Sequence, residues 1–350
     1  SFEPYQALTM YTSLAGLNYI KGIGAVPMGI GNKNLKWERT LSANLGLDLT
    51  MFKGRWDFSA DVYVKNTDNL LLDITKAPSL GITTSRENVG EVENHGFEFQ
   101  TRVIPIKNKD WEWSLSLNYA YNKNKIKKIS NALREQNEKN QAKGGVTPLP
   151  IYEEGQSLTA LKVVSSAGID PITGNEVFIK RDGSLTFVYD PNDKVVYGDT
   201  TPFGMGSIGS YLTYKQFSMG MSMRYSFGGA VYNQTLASKV EGADPRYNAD
   251  ERVFSSRWKE VGQQAKYKRI SDSSVPMQTS RFVETNNYIT LSSLSLAYEV
   301  PLTFIKRYGL KRLHLEMLAN DLFYLSSVKR ERGLSYPYER SVEFSVRLGF

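Results

Sequence analysis

The sequence contains no cysteine and only two histidines, His95 and His314, among its 350 residues. The absence of cysteine excludes a disulfide framework and a thiolate metal site. The two histidines lie far apart, and no serine–histidine–aspartate series or carboxylate pair stands out, so convergent catalytic or metal-binding partners are missing. We therefore predict that the chain is not an enzyme and needs no cofactor.

The sequence also lacks any run of 18 apolar residues, which excludes a transmembrane helix. A membrane protein is not excluded, because barrel strands carry apolar residues only at alternate positions. The 43 basic and 36 acidic residues give a net charge of +7, but the cations lie mostly in predicted turns, and no motif supports a nucleic-acid partner. No signal peptide is present and the first residue is Ser1, which suits a fragment or a mature product.

The strongest feature that is present is period-two alternation, which places apolar side chains on one face of a strand. In the first such stretch Leu41, Leu45 and Leu49 alternate with polar residues, and the pattern predicts nine strands, or about ten to twelve if the segment 128–202 adds a hairpin. The stretches 39–51, 56–70 and 111–127 exceed the roughly 5–6 residues usual for soluble strands and reach the 9–11 or so that cross a bilayer.

A soluble β-sandwich would also show alternation. Two features favour a transmembrane barrel: the polar faces are rich in Ser, Asn, Asp, Glu and Arg, which suits a wet lumen, and aromatic residues cluster at strand ends, as an interfacial girdle requires. The predicted interfacial aromatics are Trp37, Trp56, Trp111, Trp113, Tyr119 and Tyr121.

The predicted connections alternate in length, which orients the strands, since periplasmic turns are short and outer loops long in such barrels. The short turns are 52–55, 104–110 and 215–216, and the long connections are 73–88, 128–202, 229–286 and 323–338. Within 128–202 the sequence allows either one loop or an even number of strands, with 158–165 and 177–189 as a candidate hairpin. Residues 252–261 have helical character.

Several motifs resemble those of SusC/RagA-type TonB-dependent outer-membrane transporters. NKNLKWE at 32–38 resembles the family's NPNLKWE, and NLLL at 69–72 resembles DLLL. ENVGEVENHGFEF at 87–99 is similar to NVGxVENKGFEF, with His95 in place of a usual Lys. The matching positions are Asn88, Val89, Gly90, Val92, Glu93, Asn94, Gly96 and Phe97. Further resemblances lie at 167–174, 225–229, 294–301 and 319–322.

The resemblance implies an all-β fold, in which residues 1–350 form the C-terminal part of a transmembrane antiparallel β-barrel of about 22 strands. It implies location in a Gram-negative outer membrane and import of large nutrients, either oligosaccharide or peptide. The family's plug domain lies N-terminal to this region and is therefore expected to be absent from the chain. Implied partners are a SusD-like surface lipoprotein, TonB acting through the plug, and outer-membrane lipid and lipopolysaccharide.

The last strand is interpreted as an assembly signal for the barrel-insertion machinery, because an edge strand can be captured by strand addition. Its residues are Val342, Phe344, Val346, Leu348 and Phe350. Four lysines lie close together at the outer end of another strand: Lys123, Lys125, Lys127 and Lys128. They suit either a solvated loop entrance, which is the more common role of such a charge cluster, or contact with lipopolysaccharide phosphates.

Other interpretations remain open at this point. The chain alternatively forms a stand-alone small barrel, as an adhesin or passive pore, or an outer-membrane hydrolase, which would require a clustered nucleophile and base. A weak Ca²⁺ site in an outer loop would use Asp170, Asp190, Asn192 and Asp193. GMGSIG at 204–209 spells a dinucleotide motif, but no helix is predicted after it, so strand glycines explain it better.

Overall fold

The computed structural model describes all residues except 1–7, 20–21, 77–78, 80, 245, 248–249, 330 and 332–339. Its strands are β1 (Met10–Tyr19), β2 (Gly22–Gly29), β3 (Arg39–Met51), β4 (Trp56–Thr75), β5 (Thr84–Lys107), β6 (Trp111–Ile129), β7 (Ala160–Ile169), β8 (Glu176–Ile179), β9 (Leu185–Thr186), β10 (Lys194–Asp199), β11 (Gly204–Tyr214), β12 (Phe217–Tyr232), β13 (Val283–Glu299), β14 (Arg312–Ser326) and β15 (Val342–Gly349). The α-helices are α1 (Asn131–Ala142), α2 (Arg252–Ser255) and α3 (Leu302–Ile305). No helix in the described part of the chain is long and apolar enough to cross a membrane.

Nine long strands form one antiparallel sheet in the order β15-β14-β13-β12-β11-β6-β5-β4-β3. Each strand pairs with its neighbour in the order of the chain, as in a meander, and these are the nine strands that alternation predicted. Among the described residues β3 and β15 do not pair with each other, so the sheet is a wall with two open edges rather than a closed ring. The hairpin of β1 and β2 forms a separate sheet.

The short turns lie together at one edge of the wall, which we call the short-turn end. Phe52, Lys53 and Gly54 turn with positive φ between β3 and β4. Asn108 closes the next turn, because its side-chain oxygen accepts from the backbone N–H groups of Asp110 and Trp111 at 3.0 and 2.9 Å. This turn is shorter than the predicted 104–110, since β5 continues to Lys107.

The prediction of a long connection at 73–88 is wrong. Strand β4 extends to Thr75 and β5 begins at Thr84, so most of this segment is paired. The register shifts between Thr67 and Leu70 and again between Leu70 and Leu71. These bulges interrupt the alternation, because an extra residue moves every following side chain to the other face.

A second unit, the outer subdomain, occupies residues 130–203 between β6 and β11. It contains α1 and a four-stranded sheet ordered β10-β7-β8-β9. The segment holds four strands, an even number as the sequence required. These strands form their own sheet and add none to the wall. The predicted helix at 252–261 is limited to the single turn α2, and the predicted connection 323–338 falls partly outside the described residues.

Candidate transport face

The two faces of the nine-stranded wall differ in chemistry. One face, which we call the apolar face, presents leucine, valine, phenylalanine and methionine side chains that are largely exposed: Leu45 is 78% and Phe344 is 78% accessible. In a sandwich these side chains would be packed in a dry interior between two sheets. A contiguous exposed apolar surface of this extent needs a nonaqueous neighbour, and a lipid bilayer provides one.

The opposite face, which we call the polar face, carries charged and amide side chains. Arg102 lies 3.5 Å from Asp57, and the Asn118 side-chain nitrogen donates to the Ser207 hydroxyl at 2.7 Å. A concavity of about 540 Å³ lies here. The polar-face side chains that line it are Ser59, Asp61, Glu98, Gln100, Asn118, Ser207, Arg224 and Tyr288. Charges of both signs beside amides and hydroxyls can bind a hydrated, hydrogen-bonding solute.

Two glycines let aromatic rings lie across the wall. On the polar face Tyr63 lies over Gly96, where an added Cβ would be 2.7 Å from the Tyr63 hydroxyl and 2.2 Å from the carbonyl oxygen of Tyr121. On the apolar face Tyr225 lies over Gly206 and its hydroxyl donates to the carbonyl oxygen of Asn118 at 2.7 Å. The rings cover the backbone that the glycines leave open, which pins the register of adjacent strands.

Three of the sequence motifs meet at the side chain of Asn88. Its oxygen accepts from the Lys36 N–H at 2.8 Å, and its nitrogen donates to the carbonyl oxygens of Lys36 and Asn69, both at 2.9 Å. Asn69 has φ of +57°, at the bulge of β4. The amide of Asn88 therefore holds the segment before β3 across the outer end of β4.

The other motif positions each make a different contact that stabilises the fold. Val89 is buried against Ile74 and Leu133 of α1, and Val92 is buried as well. Gly90 is required because an added Cβ would lie 2.0 Å from the carbonyl oxygen of Lys128. The remaining positions lie along β5. Glu93 forms an ion pair with Lys127 at 2.8 Å, and the rings of Phe97 and Tyr119 stack with their centres 5.4 Å apart. Asn94 lies opposite Lys65 and Asn124 on the neighbouring strands, and Gly96 lies opposite Tyr63.

The predicted interfacial aromatics occupy both ends of the wall. At the short-turn end Trp56 stacks on Phe52, and Trp111 lies 4.1 Å from the Tyr214 ring. Trp113 follows, with its indole nitrogen donating to Ser210 at 3.0 Å. Tyr119 and Tyr121 lie further along β6, on the same face, and contact Phe97. Trp37 is exposed at the opposite end, before β3. Their role at a membrane interface stays a prediction.

Strand β15 places the residues of the predicted assembly signal on the apolar face. Val342, Phe344, Val346, Leu348 and Phe350 are all exposed, and β15 pairs with β14. Recognition by the insertion machinery stays a prediction.

The candidate Ca²⁺ ligands are engaged in turns. The Asp170 carboxylate accepts from the Thr173 hydroxyl at 2.6 Å and from its N–H at 3.0 Å, and these bonds hold the pKa of Asp170 below its usual value. Asp190 accepts from the N–H of Asn192, and Asp193 accepts from that of Arg181. No group of three or more potential metal-ligating side chains occurs among the described residues. Residues 204–209 lie within strand β11, not at a strand-to-helix turn.

A buried ion cluster that sequence reasoning missed joins the outer subdomain to the long connection after β12. Arg281 donates to both oxygens of Glu176 at 2.7 Å and to both oxygens of Glu241 at 2.8 Å. Burial by itself lowers the pKa of Arg281, but hydrogen bonds with Glu176 and Glu241 raise it above its usual value, so the guanidinium stays charged. No sequence signal links these residues, because 105 positions separate Arg281 from Glu176.

Long antiparallel strands with an apolar exterior and a polar, charged interior define the wall of a transmembrane β-barrel. The sequence model of the family described as "TonB dependent receptor-like, beta-barrel" matches residues 1–316. The chain belongs to this family. Its members are outer-membrane receptors and not enzymes, which confirms the prediction that the chain is not an enzyme.

Similar proteins agree with this assignment. "TonB-dependent receptor P3" of Formosa agariphila is 29% identical over 344 residues, which is 92% of this chain and 33% of that protein. "TonB-dependent receptor SusC" of Bacteroides thetaiotaomicron is 31% identical over 218 residues, covering 60% of this chain and 21% of SusC. The chain thus spans about a third of the length of the first of these relatives.

Among solved structures, "Structure of the RagAB peptide transporter" superposes with a TM-score of 0.76 at 22% identity, covering 92% of this chain and 35% of that one. At this identity the match shows the fold, and it does so over nearly the whole chain. The resemblance to SusC/RagA-type proteins that the motifs indicated is confirmed, as is the all-β barrel class.

Proposed function

We propose that this chain forms the C-terminal part of the barrel wall of a TonB-dependent transporter, which imports an oligosaccharide or a peptide too large for passive pores. The observation that carries the proposal is that the exposed apolar face lies opposite a polar face with a cavity of about 540 Å³, whose lining includes Asp61, Glu98 and Arg224. Such a polar face suits passage of a hydrated solute. A barrel of about 22 strands would leave room for a plug in the lumen.

We further propose the partners that the family resemblance implies. A SusD-like lipoprotein would cover the outer end of the wall, beside the outer subdomain, and TonB would act through a plug outside residues 1–350. Lys123, Lys125 and Lys127 are exposed at alternate positions near the outer end of β6, which suits contact with lipopolysaccharide phosphates, although Lys127 already pairs with Glu93. The pairing of strands gives no support to a stand-alone small barrel, because β3 and β15 do not close the sheet in the described residues.

The test combines genetics with labelling. A deletion strain is grown on single glycans or peptides as the only nutrient, and one class of polymer is expected to fail to support growth. The full-length protein is then given a cysteine at Asp61, on the polar face, and reacted with a water-soluble maleimide in the presence and absence of that polymer. Since residues 1–350 contain no cysteine, none of them gives a background signal.

The polymer is expected to protect Asp61→Cys from the reagent. The control, Val62→Cys, lies one residue further on the apolar face and should be unreactive in the membrane with or without polymer. Unimpaired growth on every polymer, or reactivity of Asp61→Cys that the required polymer does not change, would contradict an import route along this face.

A further inference from the structure

A groove crosses the apolar face near the short-turn end. It has a volume of about 470 Å³, within the range of roughly 300–1,000 Å³ typical of small-molecule sites. Phe217, Met219, Leu296, Leu315 and Met317 supply its centre, on three consecutive strands β12, β13 and β14. Its walls are almost entirely apolar, so it suits a hydrocarbon chain better than a polar ligand.

A cation lies at the rim of this groove. Lys215 occupies the two-residue turn between β11 and β12, with φ of +52°, and its ammonium lies 5.3 Å from the centre of the Tyr214 ring, which lines the groove. Lys215 makes no ion pair with any residue that the structure describes. Two nearby acids are engaged elsewhere, since Glu112 pairs with Lys107 at 3.5 Å and Glu299 pairs with Arg312 at 2.8 Å on the polar face. Asp110 also lies at this turn, because its backbone carbonyl accepts from the Lys215 N–H at 2.8 Å.

The neighbouring connection between β13 and β14 adds exposed apolar and basic side chains at the same end. Leu302, Phe304 and Tyr308 are more than half exposed, and the Arg307 guanidinium lies 4.8 Å from the centre of the Tyr308 ring. Lys306 is exposed beside them. This combination of apolar body and cationic tip is typical of segments that sit at a membrane interface.

We propose that the groove is a binding site for one anionic glycerophospholipid. An acyl chain lies along Met219, Leu296 and Leu315, and the phosphate group is held by Lys215. Two observations favour a lipid over a second protein chain. The groove is continuous with the exposed apolar face of the wall, and a cation lies at its rim, at the end of that face. A net negative headgroup is favoured because three cations, Lys215, Lys306 and Arg307, outnumber the Asp110 carboxylate at this end of the groove.

The site is tested on the purified full-length protein after exchange into a detergent that removes lipid. Native mass spectrometry then follows binding of phosphatidylglycerol and of phosphatidylethanolamine with identical acyl chains. Phosphatidylglycerol is expected to bind more tightly, and Lys215→Gln is expected to weaken its binding about fivefold, as the loss of one cation near a headgroup implies. Leu315→Trp, which fills the groove, is expected to weaken binding of both lipids.

Two matched variants serve as controls. Lys53→Gln removes a lysine from the equivalent turn between β3 and β4, also at positive φ, and Leu45→Trp adds a ring to the apolar face outside the groove. Both should bind phosphatidylglycerol as the parent protein does. The proposal is overturned if Lys215→Gln and Leu315→Trp bind phosphatidylglycerol normally, if the two headgroups bind equally, or if the added mass is a second copy of the protein.

Discussion

The side chain of Asn88 makes the most specific contacts of any residue in the sequence motifs. Asn88→Ala removes three hydrogen bonds that hold the segment 32–38 across the end of β4. We expect a loss of about 1–3 kcal/mol in stability, because the partly buried carbonyl of Asn69 would lose its donor. The measurement is the temperature at which the full-length protein loses its heat-modifiable gel migration. Asn44→Ala, an exposed amide on β3, is the control and should leave that temperature unchanged.

Gly96 is expected to tolerate no side chain. Gly96→Ala places a Cβ against both the Tyr63 hydroxyl and the carbonyl oxygen of Tyr121, and overpacking of this kind costs about 1–3 kcal/mol. The same thermal assay checks it, with Gly29→Ala as the control, since nothing lies within 4 Å of a Cβ there. Because one clash is with backbone, adding Tyr63→Leu should not restore stability. Full recovery in the double variant would show that only the ring matters.

Single positions differ in how well the sequence predicts them. Alternation correctly placed Leu41, Leu45 and Leu49 on one exposed apolar face, because period-two geometry is local. The contacts of Asn88 were not predictable, since its partners lie 52 and 19 positions away and no periodicity relates them. The motif was recognised, but its physical role required the paired strands.

Strands and connections were predictable to the extent that alternation continued without interruption. The nine strands of the wall follow from it, whereas the outer ends of β4 and β5 were missed because bulges at 67–71 reverse the alternation. Of the sheet β10-β7-β8-β9, only a candidate hairpin at 158–165 and 177–189 was predicted as an alternative to a loop, since β8 and β9 span four and two residues. Strands so short leave almost no periodic signal.

The outer subdomain should depend on the buried ion cluster. Arg281→Met leaves Glu176 and Glu241 unpaired, with side chains 4% and 0% exposed, and breaking a buried ion pair in this way costs about 3–5 kcal/mol. We expect faster chymotryptic cleavage within 130–203 and 233–282, while the wall retains its heat-modifiable migration. Arg246→Met removes an exposed arginine that pairs with Asp244 and should not change cleavage. Equal cleavage of both variants would show that the cluster does not hold these segments together.

At the scale of the whole molecule, the main feature is the difference in chemistry between the apolar face and the polar face of the wall. The family assignment and the fold match show a TonB-dependent receptor barrel, and the apolar side chains are exposed on one face of its wall while charged side chains lie on the other. Composition could not reveal this, because averaging over alternate residues gives a chain only 41% hydrophobic. The two faces are visible only in the order of apolar and polar residues along each strand, not in the mean composition.

The two faces can be distinguished by placing one charge on each side of the same strand. Leu45 is at the middle of β3, where Arg39 and Met51 mark the ends, and Leu45→Arg would put a guanidinium against hydrocarbon at a cost of about 2–4 kcal/mol near the bilayer midplane. Asn44→Arg places the same group on the polar face, where water solvates it, and should be nearly neutral. The measurement is the free energy of unfolding of the full-length protein in lipid vesicles, titrated with guanidinium chloride. Residues 44 and 45 are adjacent on one exposed strand, so the two variants differ mainly in the solvent that each face contacts. If both arginines lower the free energy of unfolding equally, the apolar face does not contact lipid.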